Sequence, residues 1–188
     1  HAPHLLPGTA GSLDNLPWRS KKPLSQLISF VGEHGDLVRG ARCLELGCGT
    51  GENLVYLAGT TAAFAVGVDI VDAAVQASSS ALAAAGVGTQ AAQAVRADIL
   101  ELLDQPPAEV LGDGGEWLNG FDIIIDCQTY QCLRAVDAAR AAMVIAGLLK
   151  PGGLLLLMVL VLLSCRVYFC MNTRVRAFCI ESCEHLLY

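Results

Sequence analysis

Apolar and polar positions along the chain fall into two alternating rhythms. Short runs of mostly apolar residues occur at 41–46, 62–68, 90–96 (a modest one, carried by Ala and Val) and 121–126, and again from Leu154 onward. Each of the first four suits a strand better than a helix by its length. Between the runs the spacing turns helical. Leu24, Leu27, Ile28 and Val31 share one face of a segment at 24–34, Leu54, Val55 and Leu57 serve a helix at 52–58, and helices at 73–85 and 135–149 are rich in alanine, the strongest helix former. Gly35, Gly59 and Gly86 are predicted stops, and Lys150-Pro151-Gly152-Gly153 is a predicted break before the fifth strand.

The predicted strands are apolar almost throughout, the pattern of strands covered by helices on both faces. The expected fold is therefore α/β, a doubly wound and mostly parallel sheet. Its domain is expected at 21–163, between a Pro- and Gly-rich arm at 1–20 and a Cys-rich tail at 164–188. Residues 101–120, with Pro106-Pro107 and several glycines, read as a surface excursion anchored by Trp117.

Composition narrows the function. At 188 residues with 54% hydrophobic and 16% charged positions, one large-cored domain accounts for the chain. A net charge of -6 and the lack of a Lys/Arg stripe argue against a nucleic-acid partner and for a small molecule. The apolar run at 154–163 is bracketed by Pro151 and Arg166, too closely for a membrane span of about 20 residues. None of the eight cysteines forms a C-x-x-C pair, so no metal site is expected. Cys43 in a strand and Cys48 in a turn suit free thiols, a reducing compartment and hence the cytoplasm, with a targeting segment before His1 left open.

The chemistry concentrates at Arg42-Cys43-Leu44-Glu45-Leu46-Gly47-Cys48-Gly49-Thr50-Gly51-Glu52-Asn53. A strand carrying an acid runs into three alternate glycines and then a helix, so bare backbone and helix amides offer a docking surface. A dinucleotide fingerprint beginning at Gly47 needs glycine where Glu52 stands, and no Gly-Lys-Ser/Thr follows for a phosphate loop. Glu45 suits a ligand with a positive amino group. Asp69 closes the second strand about 20 residues beyond the turn, where a carboxylate can accept ribose hydroxyls. Asp72 reads as a helix cap, and Asp98 after the third strand is either a ligand contact or a cap. His34 reads as a helix-end dipole partner. The fourth strand ends at Asp126, beside the polar cluster Cys127, Gln128, Thr129, Tyr130, Gln131 and Cys132.

Glu45-Leu46-Gly47-Cys48-Gly49-Thr50-Gly51 resembles the first motif, E/D-x-G-x-G-x-G, of class I S-adenosylmethionine-dependent methyltransferases. Leu148-Leu149-Lys150-Pro151-Gly152-Gly153-Leu154 resembles another stretch of that family, so the likeness spans about Trp18 to Val159. Pro17-Trp18, followed by Pro23 and the amphipathic run from Leu24, resembles the opening of the thiol, halide and thiopurine methyltransferases. Trp18 is either a hydrophobic anchor or, as in that group, a cofactor contact.

The resemblance implies S-adenosylmethionine as cofactor, held by Trp18, Glu45, Gly47, Cys48, Gly49, Gly51, Asp69, Ile70, Asp98, Ile99 and Asp126. Asp98 would bond the adenine amino group and Ile99 would cover the ring. It implies methyl transfer to a small acceptor such as a thiol or halide, with Asp126 as the nearest base. The family continues with a helix and a two-stranded hairpin. The tail here shows no such pattern, so a sheet with incomplete or divergent C-terminal strands is expected. Competing readings are a non-catalytic cofactor-binding interaction domain, a nicotinamide-dependent oxidoreductase, and a cysteine-nucleophile enzyme using Cys127 or Cys132.

Overall fold

A computed structural model describes residues 21–60, 64–108, 116–161 and 164–168. In chain order it holds α1 (Ser25–Glu33), α2 (Gly35–Val38), β1 (Arg42–Leu46), α3 (Glu52–Thr60), β2 (Phe64–Asp69), α4 (Asp72–Ala84) and β3 (Ala92–Arg96). A 3-10 turn at Ile99–Glu101 is followed by β4 (Phe121–Cys127), α5 (Thr129–Leu148), β5 (Leu149–Val161) and β6 (Ser164–Tyr168).

The strands lie in the order β3-β2-β1-β4-β5-β6; the first five are parallel and β6 runs antiparallel to β5. The expected doubly wound sheet is present. Successive side chains on a strand point to opposite faces, which divides the core in two. Leu44, Leu46, Val66, Val68, Ile124 and Leu155 pack with Val144, Ile145 and Leu148 of α5. On the other face, Cys43, Ala65, Ile123, Ile125 and Leu156 pack with Leu27 and Phe30 of α1, Leu54 and Leu57 of α3, and Leu82 of α4.

Several local expectations are corrected. Helix α1 ends at Glu33, as the stop at Gly35 predicts, although Gly35 itself opens the short α2; Gly59 lies inside α3, since a glycine disfavours helix by only about 1 kcal/mol, which the packing of Leu54 and Leu57 outweighs. Helix α5 begins at Thr129, before the expected 135, because Asp126 Oδ1 accepts the Tyr130 amide at 2.8 Å. It is broken at Asp137 (φ -154°, ψ 99°), whose Oδ1 accepts from the Arg140 amide and starts the second half. The Lys150–Gly153 break proves to be part of β5, its irregularity absorbed by a register shift against β4 and by Gly152 at φ 82°.

The tail also departs from expectation. Its first residues form β6, paired from Leu157↔Tyr168 to Val161↔Ser164. No hairpin signal was read there because the apolar run continues unbroken from 154 to 163. Trp117 is the predicted anchor: it is buried, stacks edge-on with Phe121 and donates Nε1–H to the Pro107 carbonyl. Among the described residues no helix is long and apolar enough to cross a membrane.

Candidate functional site

Strand order reverses between β1 and β4, since β2 and β3 extend one way and β5 the other. In such sheets the crevice outside the carboxyl ends at the reversal is the place for a ligand. Glu45, Asp69, Asp98 and Asp126 all stand on that rim, at or just beyond the ends of four neighbouring strands.

The glycine turn forms because its backbone demands it. Gly47, Gly49 and Gly51 have φ of 67°, 53° and 87°, a region that other residues occupy at a cost. The Gly47 and Cys48 amides donate to the Val68 carbonyl at 2.8 and 3.0 Å, which stitches the turn to β2. The glycines then differ. A Cβ on Gly47 would strike the Thr129 side chain, and one on Gly51 would come within 2.8 Å of the Ser78 Cα. On Gly49 a Cβ would meet nothing within 4 Å. Gly49 therefore marks the open side of the turn, where a ligand can lie against the main chain.

Asp69 fixes the open segment by accepting the Gly49 amide (3.1 Å) on Oδ2 and the Val71 amide (2.9 Å) on Oδ1. Asp98 accepts the Leu100 amide at 2.9 Å, so the capping alternative describes part of what it does. The cap assigned to Asp72 is corrected: Asp72 is the first residue of α4 and pairs with Arg96 at 3.3 Å, and the amide bond at this end comes from Asp69.

Glu45 is buried on the α3 face. Its Oε1 accepts from Asn53 Nδ2 at 2.7 Å, and its Oε2 is buried with no protein partner. Burial, followed by the charges of Glu52, Asp126 and Asp69, outweighs the Asn53 bond and pushes its pKa up to about 8. Asp126 points to the other face, buried, with Oδ2 likewise unpartnered. Its burial outweighs the amides of Tyr130 and Thr129 and raises its pKa to about 7. Two buried carboxyl groups with spare oxygens are costly in a folded protein. A cationic or hydrogen-bonding ligand in the crevice would relieve them, which fits an amino-acid-bearing nucleoside.

The remaining expected contacts separate. Ile70 is 51% exposed on the rim, whereas Ile99 is 5% exposed and packed in the core, so Ile70 and not the Ile99 side chain supplies accessible apolar surface. The Cys48 side chain is buried against the bare Gly67 and beside Ser78, which leaves it supporting the turn from beneath. Burial, then the charge of Glu45, raises its thiol pKa further from reactivity. Trp18 lies outside the described residues. The residue to which the sequence reading gave no role is Asn53, whose amide joins Glu45 to the Leu24 N–H (2.8 Å). Its only sequence signal was a polar residue beside Leu54 at the start of a helix.

Residues 44–155 match the methyltransferase domain family. A solved structure concerned with conversion of a disulfide bond into a thioacetal group during echinomycin biosynthesis is 26% identical, with a TM-score of 0.58 over 76% of this chain and 52% of that one. A putative sarcosine dimethylglycine methyltransferase from Galdieria sulphuraria is 22% identical, with a TM-score of 0.56 over 71% of this chain and 44% of that one. The S-adenosylmethionine-dependent methyltransferase from Thiobacillus denitrificans, solved with S-adenosyl-L-homocysteine, is 22% identical, with a TM-score of 0.53 over 73% of this chain and 49% of that one. The chain thus spans about half the length of these solved structures. No curated protein matches it.

Proposed function

The chain belongs to the methyltransferase domain family, and from that premise we propose that it binds S-adenosylmethionine at the Gly47–Gly51 turn and transfers the methyl group to a small acceptor. The observation that carries this reading is the open face of Gly49 together with the orphaned oxygen of Glu45, both at the carboxyl end of β1. The bare backbone receives the chain of the cofactor, and Glu45 receives its amino group. Asp69 takes the ribose hydroxyls with the lone pairs left after it holds Gly49 and Val71. Asp98 and Ile70 take the adenine edge and face.

When bound, the sulfonium supplies an already activated methyl group. The protein's part is positioning, exclusion of water and, where the acceptor needs it, removal of a proton. Asp126, raised to about 7 by burial, is suited to proton transfer near neutral pH. We assign the acceptor to thiols, halides or similar nucleophiles, which need little base, and the compartment to the cytoplasm, where buried free thiols such as Cys43 and Cys48 stay reduced.

Titration calorimetry with S-adenosylmethionine tests the reading. Binding at one site is expected, and Asp69→Ala should weaken it by about 100-fold, because the variant loses both a ligand acceptor and the bond that shapes Gly49. Unchanged affinity in the variant defeats the site. A second reading is a cofactor-binding interaction domain, because the fold by itself does not establish activity. Binding without methyl transfer to any thiol, halide or small acid would select it.

A further inference from the structure

The Asn53 side chain has only one workable orientation. The Leu24 backbone N–H can only donate, so the oxygen of the amide must face it, at 2.8 Å, and the nitrogen must face Glu45 Oε1, at 2.7 Å. Asn53 is 9% exposed and Glu45 is 2% exposed, so water is poorly placed to substitute for either bond. Oε1 is thereby occupied as an acceptor. Any proton on the Glu45 carboxyl must reside on Oε2, the oxygen that has no protein partner.

We propose that Asn53 is a positioning residue that holds Oε1 of Glu45, dedicates Oε2 to the amino group of the ligand, and ties the start of α1 to the same point. The inference rests on the cofactor reading above and adds how the acid is aimed. An ammonium group arriving at Oε2 displaces the proton carried there, which leaves to solvent, and the carboxylate and ammonium remain as an ion pair. The groups that face Glu45 are Asn53 and Glu52 of α3, Asp126 of β4, Asp69 of β2 and the Cys48 thiol of the glycine turn. Apart from the Asn53 amide and the buried thiol, all are acidic, so among the described residues no cation faces this carboxyl in competition with the ligand. Leu24, the residue before α1, shares the amide, and the helix it leads into covers this face of the sheet through Leu27 and Phe30. Burying the ligand and seating that helix therefore draw on one side chain.

Asn53→Asp is the discriminating variant, because it is isosteric and keeps an acceptor for Leu24 while removing the donor to Glu45. Two carboxyls then meet, and Glu45 must keep its proton to bridge them. Calorimetry with S-adenosylhomocysteine from pH 6.5 to 8.5, in buffers of differing ionisation enthalpy, counts the protons released. The wild-type chain should release a fraction of a proton that shrinks toward pH 8.5. Asn53→Asp should bind at least about tenfold more weakly at pH 7.5 and move the pH profile upward, the loss expected for one hydrogen bond to a charged group.

The double variant Glu45→Gln with Asn53→Asp restores a hydrogen bond of reversed polarity. It should recover thermal stability relative to Asn53→Asp without recovering affinity. Wild-type affinity and proton release in Asn53→Asp, or affinity regained in the double variant, would overturn the assignment. A wild-type chain that does not bind at all would instead overturn the cofactor reading, and this inference with it.

Discussion

Asp122 and Asp126 lie on the same strand, β4, one at each rim of the sheet, and their surroundings differ in kind. Asp122 is paired at every turn: Lys150 Nζ lies 2.8 Å from both of its oxygens and the Arg42 amide donates to it at 2.9 Å. Arg42 continues this closed rim, donating to the Gly120 carbonyl at 3.2 Å with its guanidinium over the rings of Phe64 and Phe121. Asp126 is buried with one oxygen unpartnered, and Glu45 across the reversal point has the same defect. One rim is finished by its own side chains. The other is left incomplete in the free chain, and incompleteness of that sort marks the place where a fold trades stability for binding.

The strongest way to break this contrast is through pH. Glu45 holds its proton to about pH 8 in the folded chain, against 4.5 for the free group. Asp126 holds its proton to about 7, against 3.8. Both folded values are raised, so the folded chain keeps protons that the unfolded chain releases, and stability must fall as pH rises. It is full below about 4, falls first through Asp126 and then through both groups, and levels off above about 8. The slope is up to about 1.4 kcal/mol per pH unit for each group. Urea unfolding from pH 5 to 8 should show this decline, with Glu45→Gln and Asp126→Asn each flattening part of it. A stability that is level or rises over that range would erase the distinction between the rims.

The glycine turn sharpens the comparison within the open rim. Gly51→Ala must force a Cβ against the Ser78 backbone at φ 87°, so a loss of about 3 kcal/mol is expected from overpacking and backbone strain together. Gly49→Ala has free space and φ 53°, an angle that alanine reaches for about 1 kcal/mol. The two should therefore separate. Gly51→Ala lowers the urea midpoint, whereas Gly49→Ala chiefly weakens S-adenosylhomocysteine binding, because the methyl group occupies the ligand's side of the turn. Equal midpoint losses would mean that Gly49 has no open face.

Much of this was legible in the residues, for nameable reasons. The parallel core could be read because strands such as 121–127 are apolar on both faces, and the turn because alternate glycines mark backbone that only glycine adopts cheaply. Elements whose limits are set from a distance were not legible. The start of α5 depends on Asp126 capping it across the end of β4, and β6 follows an unbroken apolar run that gives no sign of where one strand ends and the next begins. At the site, chain order placed Glu45, Asp69 and Asp98 on one rim, since parallel strands put equivalent ends together. Which side chains face the crevice was not readable, because Ile99 is drawn into the core cluster with Val95 and Leu102 whereas Ile70 is left exposed. The part that Asn53 plays was not readable, since its two partners lie 8 and 29 residues away.

The weakest effects belong to charged pairs, and they separate the closed rim from simple surface decoration. Asp122 is about one-third exposed and serves a backbone amide as well as Lys150. Asp122→Ala should therefore cost about 2 kcal/mol, mostly by leaving the Arg42 N–H without its acceptor. Lys150→Met keeps that acceptor and should cost about 1 kcal/mol or less. The pair of Asp72 and Arg96 has side chains 65% and 62% exposed at 3.3 Å, where solvent screening leaves about 0.5 kcal/mol at most. Arg96→Ala should accordingly shift the urea midpoint least, and raising the salt concentration should shrink even that difference. A larger loss in Arg96→Ala than in Asp122→Ala would place the charge economy of the sheet on the wrong rim, since Arg96 also donates to the Ile70 carbonyl (3.3 Å) beside the crevice. In that event the open rim would be holding itself together, and the case for a ligand completing it would fail.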